Sequence, residues 1–133
     1  MSVNRVKLFE YLEAQRGKRF KLGQHDCLTF TNDAWRVMHG AGYADDLLER
    51  YIGKGKKALR EEYSVHSLQE LLDNRLTRCE QLVPPLGALV TTKEARRWHT
   101  GVALGIAVGV TAVFLGADDV IYLSIDKING AWL

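Results

Sequence analysis

Up to Leu76 the apolar residues of this chain recur with a helical period, and after it they fall into short runs divided by glycine, proline and acidic turns. The pattern predicts helices first and strands afterwards. Val6, Leu8, Phe9, Tyr11 and Leu12 predict an amphipathic helix over about residues 3–15, closed by Arg16-Gly17-Lys18. Phe20 and Leu22 lead into a polar turn at Gly23, and from Cys27 the residues Thr31, Ala34, Trp35 and Met38 again keep helical spacing. Asp26 is a strong N-cap type for that second helix. Gly40-Ala41-Gly42 ends it near His39, because glycine accepts the left-handed conformation at a helix end. Three shorter helices follow over 45–51, 56–63 and 67–76, the last opening with the capping-box pattern Ser67-Leu-Gln-Glu70 and carrying Leu68, Leu71, Leu72 and Leu76 as its packing stripe.

Beyond Leu76 the runs 79–83, 87–92, 98–104, 106–115 and 120–124 predict a meander of antiparallel strands, divided by Pro84-Pro85, a charged turn and Gly116-Ala-Asp-Asp119. The class is α+β, with N-terminal helices packed on a C-terminal antiparallel sheet. Residues 1–133 are expected to form a single domain, since no repeat or linker interrupts them.

Composition narrows this further. With 47% hydrophobic and 26% charged residues and two prolines, the chain is an ordinary globular one. Its start lacks a signal-peptide apolar region, and the longest apolar run, 102–115, is broken by Gly105 and Gly109 and is too short to span a bilayer, so the expectation is no signal peptide and no membrane insertion. The net charge of +2 argues against a dedicated nucleic-acid binder. Basic residues do cluster in residues 1–21, at Lys54, Lys56, Lys57 and Arg60, and at Lys93, Arg96 and Arg97, most simply as solvated faces.

Two cysteines without close pairing suggest neither a disulfide framework nor a zinc module, and a scattered metal site from His25, Cys27, Cys79 and His99 does not match ligand spacing. No metal or cofactor is expected. Cys27 is the residue with the most chemistry. At the first position of a helix it meets unpaired N–H groups and the positive end of the helix dipole, which favour thiolate, the nucleophilic form; Cys79 has no such setting. Set against that, free cysteine is among the most buried residue types, so Cys27 also reads as a small apolar residue under the helix. His39 lies about 18 Å along the helix from Cys27 at 1.5 Å per residue, too far to serve as its base. His66 reads as a turn residue, and Asp118 and Asp119 as turn formers.

A cysteine at a helix start followed by an antiparallel sheet bearing a histidine resembles the papain-like thiol hydrolases. Asp26-Cys27, Pro85-Leu86-Gly87 and His99-Thr-Gly101-Val-Ala-Leu-Gly105 look like the NlpC-type cell-wall peptidases. A longer resemblance, over roughly residues 8–133, is to a phage and prophage family related to those peptidases and encoded among tail genes. It rests on Phe20-x-x-Gly23-x-x-Asp26-Cys27, Arg50-Tyr51, Leu104-Gly-Ile-Ala-Val-Gly109 and Ala131-Trp132. The resemblance implies that Cys27 attacks a peptide carbonyl, His99 shuttles the proton and backbone amides near the helix start hold the oxyanion.

Two departures weaken the peptidase pattern. Gly87 is followed by Ala88 where an aspartate is usual, and the strand that should orient the histidine offers only Thr111. The glycine pattern also fits a second time four residues on, as Ala103-Leu-Gly105-Ile-Ala-Val-Gly109, which puts alanine in the histidine position opposite the Cys27 helix start. In that register His25 is the substitute base to consider. The expectation is therefore a degenerate NlpC-type domain of a phage or prophage tail, in the tail tip or its assembly, made in the host cytoplasm and contacting other tail-tip proteins. The alternative is an active peptidoglycan endopeptidase using Cys27 and His99 during cell-wall penetration, with a peptidoglycan peptide as substrate; a second is a nucleic-acid-associated accessory protein.

Overall fold

The computed structural model describes residues 4–19, 26–48, 68–92, 103–116 and 118–133. Among them the fold is α+β. The helices are α1 (Arg5–Ala14), α2 (Cys27–His39), α3 (Asp45–Leu48) and α4 (Leu68–Arg75); the strands are β1 (Leu89–Thr92), β2 (Ala103–Ala107), β3 (Thr111–Leu115), β4 (Val120–Ser124) and β5 (Gly130–Trp132). The helix expected over 56–63, the end of that over 45–51, residues 98–102 of the expected third strand, His66 and two of the basic runs lie outside the described residues.

Capping sets the helix bounds. Asn4 accepts the Lys7 N–H at the start of α1, and Gly40, at φ 88°, ends α2 in the left-handed conformation. α1 packs on α2 through Leu8 and Leu12, both buried, and the Tyr11 hydroxyl donates to the Phe30 carbonyl at 2.8 Å. The fully buried Asn32 fastens the next turn to α2: its Oδ1 accepts from Ala44 N–H at 2.8 Å and its Nδ2 donates to Asp45 at 2.7 Å. Arg75 of α4 reaches both carboxylate oxygens of Asp46, at 2.8 and 2.7 Å.

The five strands form one antiparallel sheet in the order β4-β3-β2-β1-β5. A plain meander would have placed the last strand beside β4. Instead β5 returns to β1, with Leu89 opposite Trp132 and Val90 opposite Ala131. The run 106–115 is not one strand, because Val108 to Val110 turn between β2 and β3, with Gly109 at φ 121°. The run 79–83 forms no strand. Pro84-Pro85 offers no N–H to a ladder, and pairing stops at the first residue of the run, with Arg78 opposite Trp132 and the Cys79 N–H donating to Ala131 at 2.8 Å.

Side-chain alternation gives the sheet two buried faces. Leu89, Leu104, Ile106, Val113, Leu115 and Trp132 share a cluster with the helices, while Val90, Ala103, Ala107, Ala112, Phe114 and Ala131 form a second cluster on the opposite face. Gly105 belongs to that second face, where an added Cβ would come within 2.7 Å of the Phe114 ring.

Candidate functional site

Asp26 sets the geometry around Cys27. Its backbone is extended, its carboxylate accepts from the Thr29 N–H at 2.9 Å, and the Thr29 hydroxyl accepts from the Asp26 N–H at 2.8 Å. This reciprocal cap fixes Cys27 as the first residue of α2, where the sequence places it. α2 lies against β2, and the backbone amides of Leu104, Cys27 and Leu28 face the Cys27 sulfur.

Two opposing effects act on that thiol. Burial, with only 1% of the residue exposed, removes water from the thiolate and is the larger, and the charge of Asp26 works in the same direction. The amide of Leu104, and more weakly those of Cys27 and Leu28, favour the thiolate. Burial wins, and the thiol is pushed up to about 12. The helix-start argument for a ready thiolate is thus outweighed by desolvation, which the local sequence does not encode. Cys79 is half-buried, and its thiol is also raised, by burial and by Glu80.

The other expected site residues are placed as follows. His99 and His25 lie outside the described residues, as does Gly101 of the first glycine register. Ala103 begins β2, next to the Leu104 amide that faces the sulfur, but its methyl group lies on the opposite sheet face with Val90 and Phe114. Position 103 therefore does not stand opposite Cys27; alternation along β2 turns Leu104 that way instead. Thr111 opens β3 at the far end of the sheet. With Gly105 opposite Phe114, the β3 residue level with Leu104 is Leu115, and Thr111 is four residues, about 13 Å, further along. Thr111 is consequently not brought to the thiol.

Asp119 is a turn residue with a second task that its sequence context did not reveal. Its Oδ1 accepts from Gly17 N–H at 2.8 Å and from Val120 N–H at 2.7 Å, tying the turn after α1 to the β3–β4 turn. These bonds, that of Gly17 first, hold its carboxyl below the usual carboxylate range. Among the described residues no group of three His, Cys, Asp or Glu side chains is placed to hold a metal ion, and no helix is long and apolar enough to cross a membrane.

Comparison with curated proteins gives no match. A family model does match, over residues 2–133, and its family is described as a domain of unknown function. With nearly the whole chain covered, this protein belongs to that family, DUF6950.

Proposed function

We propose that this chain is an NlpC-type papain-like domain serving as a structural component of a phage or prophage tail, in the tip or its assembly, with its cysteine packed rather than poised for catalysis. The observation that carries the reading is the seat of Cys27. A cysteine at a capped helix start, lying against the beginning of a strand in an antiparallel sheet, supports the papain-like architecture. Its near-complete burial supports a structural use, because a protonated thiol withdrawn from solvent is a poor nucleophile. The neighbours of such a subunit would be other tail-tip proteins.

One observation favours the alternative, a thiol hydrolase acting on peptidoglycan peptides. The amides of Leu104, Cys27 and Leu28 favour the thiolate, the nucleophilic form, and movement that opened the site to water would lower the thiol again. Two measurements, one on purified particles and one on the purified protein, separate the readings. Mass spectrometry is expected to find the chain in intact virions, and its absence would sink a place in the finished tail. Peptidoglycan digestion by the purified protein is expected to be no greater for wild type than for Cys27→Ala. Hydrolysis that Cys27→Ala or His99→Ala abolishes in a folded protein would install the enzyme reading instead.

A further inference from the structure

The two outer strands of the sheet are treated differently. On one side β5 is covered: Thr77 and Leu133 exchange backbone bonds at 2.8 Å in both directions, and the Cys79 N–H donates to Ala131. On the other side β4 ends the sheet. Its bonds to β3 can be assigned from the pairs that bracket it, Gly116 N–H to Asp119 O at 2.8 Å and Ile125 N–H to Val110 O at 3.1 Å. Alternation then directs the backbone groups of Ile121 and Leu123 toward β3, and those of Val120, Tyr122 and Ser124 outward. Among the described residues no strand lies on that outer side.

Natural sheets protect such an edge with lysine, proline, a bulge or a covering segment. The sequence Val120-Ile-Tyr-Leu-Ser124 has no charge and no proline, and its pairing with β3 runs without a bulge over all five residues. Two of its large side chains are open, one on each face of the sheet. Tyr122, on the helix side level with Val113, is 59% exposed, and Ile121, on the other side level with Phe114, is 45% exposed. A second strand laid alongside would take up the outward backbone groups and cover both residues.

We infer that β4 is the interface through which two copies of this chain associate, pairing antiparallel about a two-fold axis at Tyr122 to make one continuous sheet. The strand is complementary to itself in this register. Tyr122 meets Tyr122 of the second copy, Ile121 meets Leu123 and Val120 meets Ser124, so each opposed pair is free of charge, and in the first two aromatic or branched side chains face one another. Tyr122 exchanges two backbone bonds with its counterpart. Each Ser124 N–H reaches the opposite Val120 carbonyl, whose own N–H is already held by Asp119. At the two ends Asp118 comes near Asp126 of the other copy. Arg19, 3.7 Å from Asp118, and Lys127 beside Asp126 temper that repulsion. The inference does not depend on whether the protein resides in a tail.

Sedimentation equilibrium over ~5 to ~500 µM tests it, a range that registers a dimer with a micromolar dissociation constant. Wild type is expected to approach twice the chain mass. Tyr122→Pro removes an outward N–H while leaving the β3 ladder intact, and Tyr122→Lys places a charge on the edge; each is expected to raise the dimer dissociation constant roughly tenfold or more. Should the proline variant fail to melt cooperatively, the lysine variant carries the test alone. In a Cys79→Ser background, Tyr122→Cys is expected to form an intermolecular disulfide on mild oxidation, because the two Cα atoms of such a pair lie about 5.5 Å apart, within disulfide reach. A wild-type chain that stays monomeric across this range, or a dimer that neither the lysine variant nor the cysteine cross-link touches, would overturn the assignment.

Discussion

Replacing Trp132 by alanine should unfold the C-terminal corner of the sheet. The indole is fully buried against Leu89 and the helices, Gly130 leaves room for its ring, and its Nε1–H donates to Asp73 at 2.8 Å. The Arg78 guanidinium stands 5.2 Å from the ring centroid and 3.6 Å from Asp73, so it spans the ring and the acceptor. A tryptophan of this kind buries on the order of 200 Å², which at about 25 cal/mol per Å² is ~5 kcal/mol. Partial collapse of the site brings the expected cost of Trp132→Ala to about 3–5 kcal/mol. For a domain of this size that is a fall of about 11–18 °C in melting temperature, followed by far-ultraviolet circular dichroism because the mutation removes a fluorophore. Trp132→Phe keeps most of the apolar area and loses the N–H donor, so it should cost roughly 1–2 kcal/mol. That cost should shrink when Asp73→Ala has already removed the acceptor. A Trp132→Ala variant melting within about 3 °C of wild type would mean the ring is not packed as described, and the reasoning from burial would fail.

Two further perturbations probe the joints of the fold. Asn32→Leu fills the same space but leaves the Ala44 N–H without its acceptor, and urea titration should show a loss of about 1–3 kcal/mol; no loss would mean water or another group replaces the amide. Asp119 predicts an acid-side signature. Its folded carboxyl is held low by Gly17 and Val120, so its stabilisation is present above the unfolded value of about 3.9 and disappears as pH falls through the lower folded value. Melting temperatures taken from pH 5 downward should therefore fall less steeply for Asp119→Asn than for wild type, and identical slopes would contradict the bond.

How much of this was legible in the sequence depends on how local each cause is. α2 was readable at both ends because Asp26 and Gly40 carry the capping chemistry themselves. β4 was readable because Gly116 and the acidic turn bound an uncharged strand of high β propensity. The split between β2 and β3 was not, since Val108 and Val110 are as apolar as the strands around them and only the backbone at Gly109 marks the turn. β5 was missed as a strand because three residues show no period, and its pairing with β1 depends on where Trp132 packs. The candidate site divides along the same line. The position of Cys27 at a helix start is local and was legible; its burial is not, because it arises where β2 folds back over α2.

The ionisation of Cys27 tests the account most directly. In a Cys79→Ser variant, the rate of alkylation by iodoacetamide is followed against pH in the native protein, with thermal unfolding checked at each value. Burial predicts little reaction at neutral pH and a midpoint well above the free-thiol value of about 8.5, toward the raised value of about 12. Reaction of the native protein with a midpoint at or below about 8.5 would show a solvent-reached thiolate, and with it the reading of Cys27 as a packed, non-catalytic residue would fall.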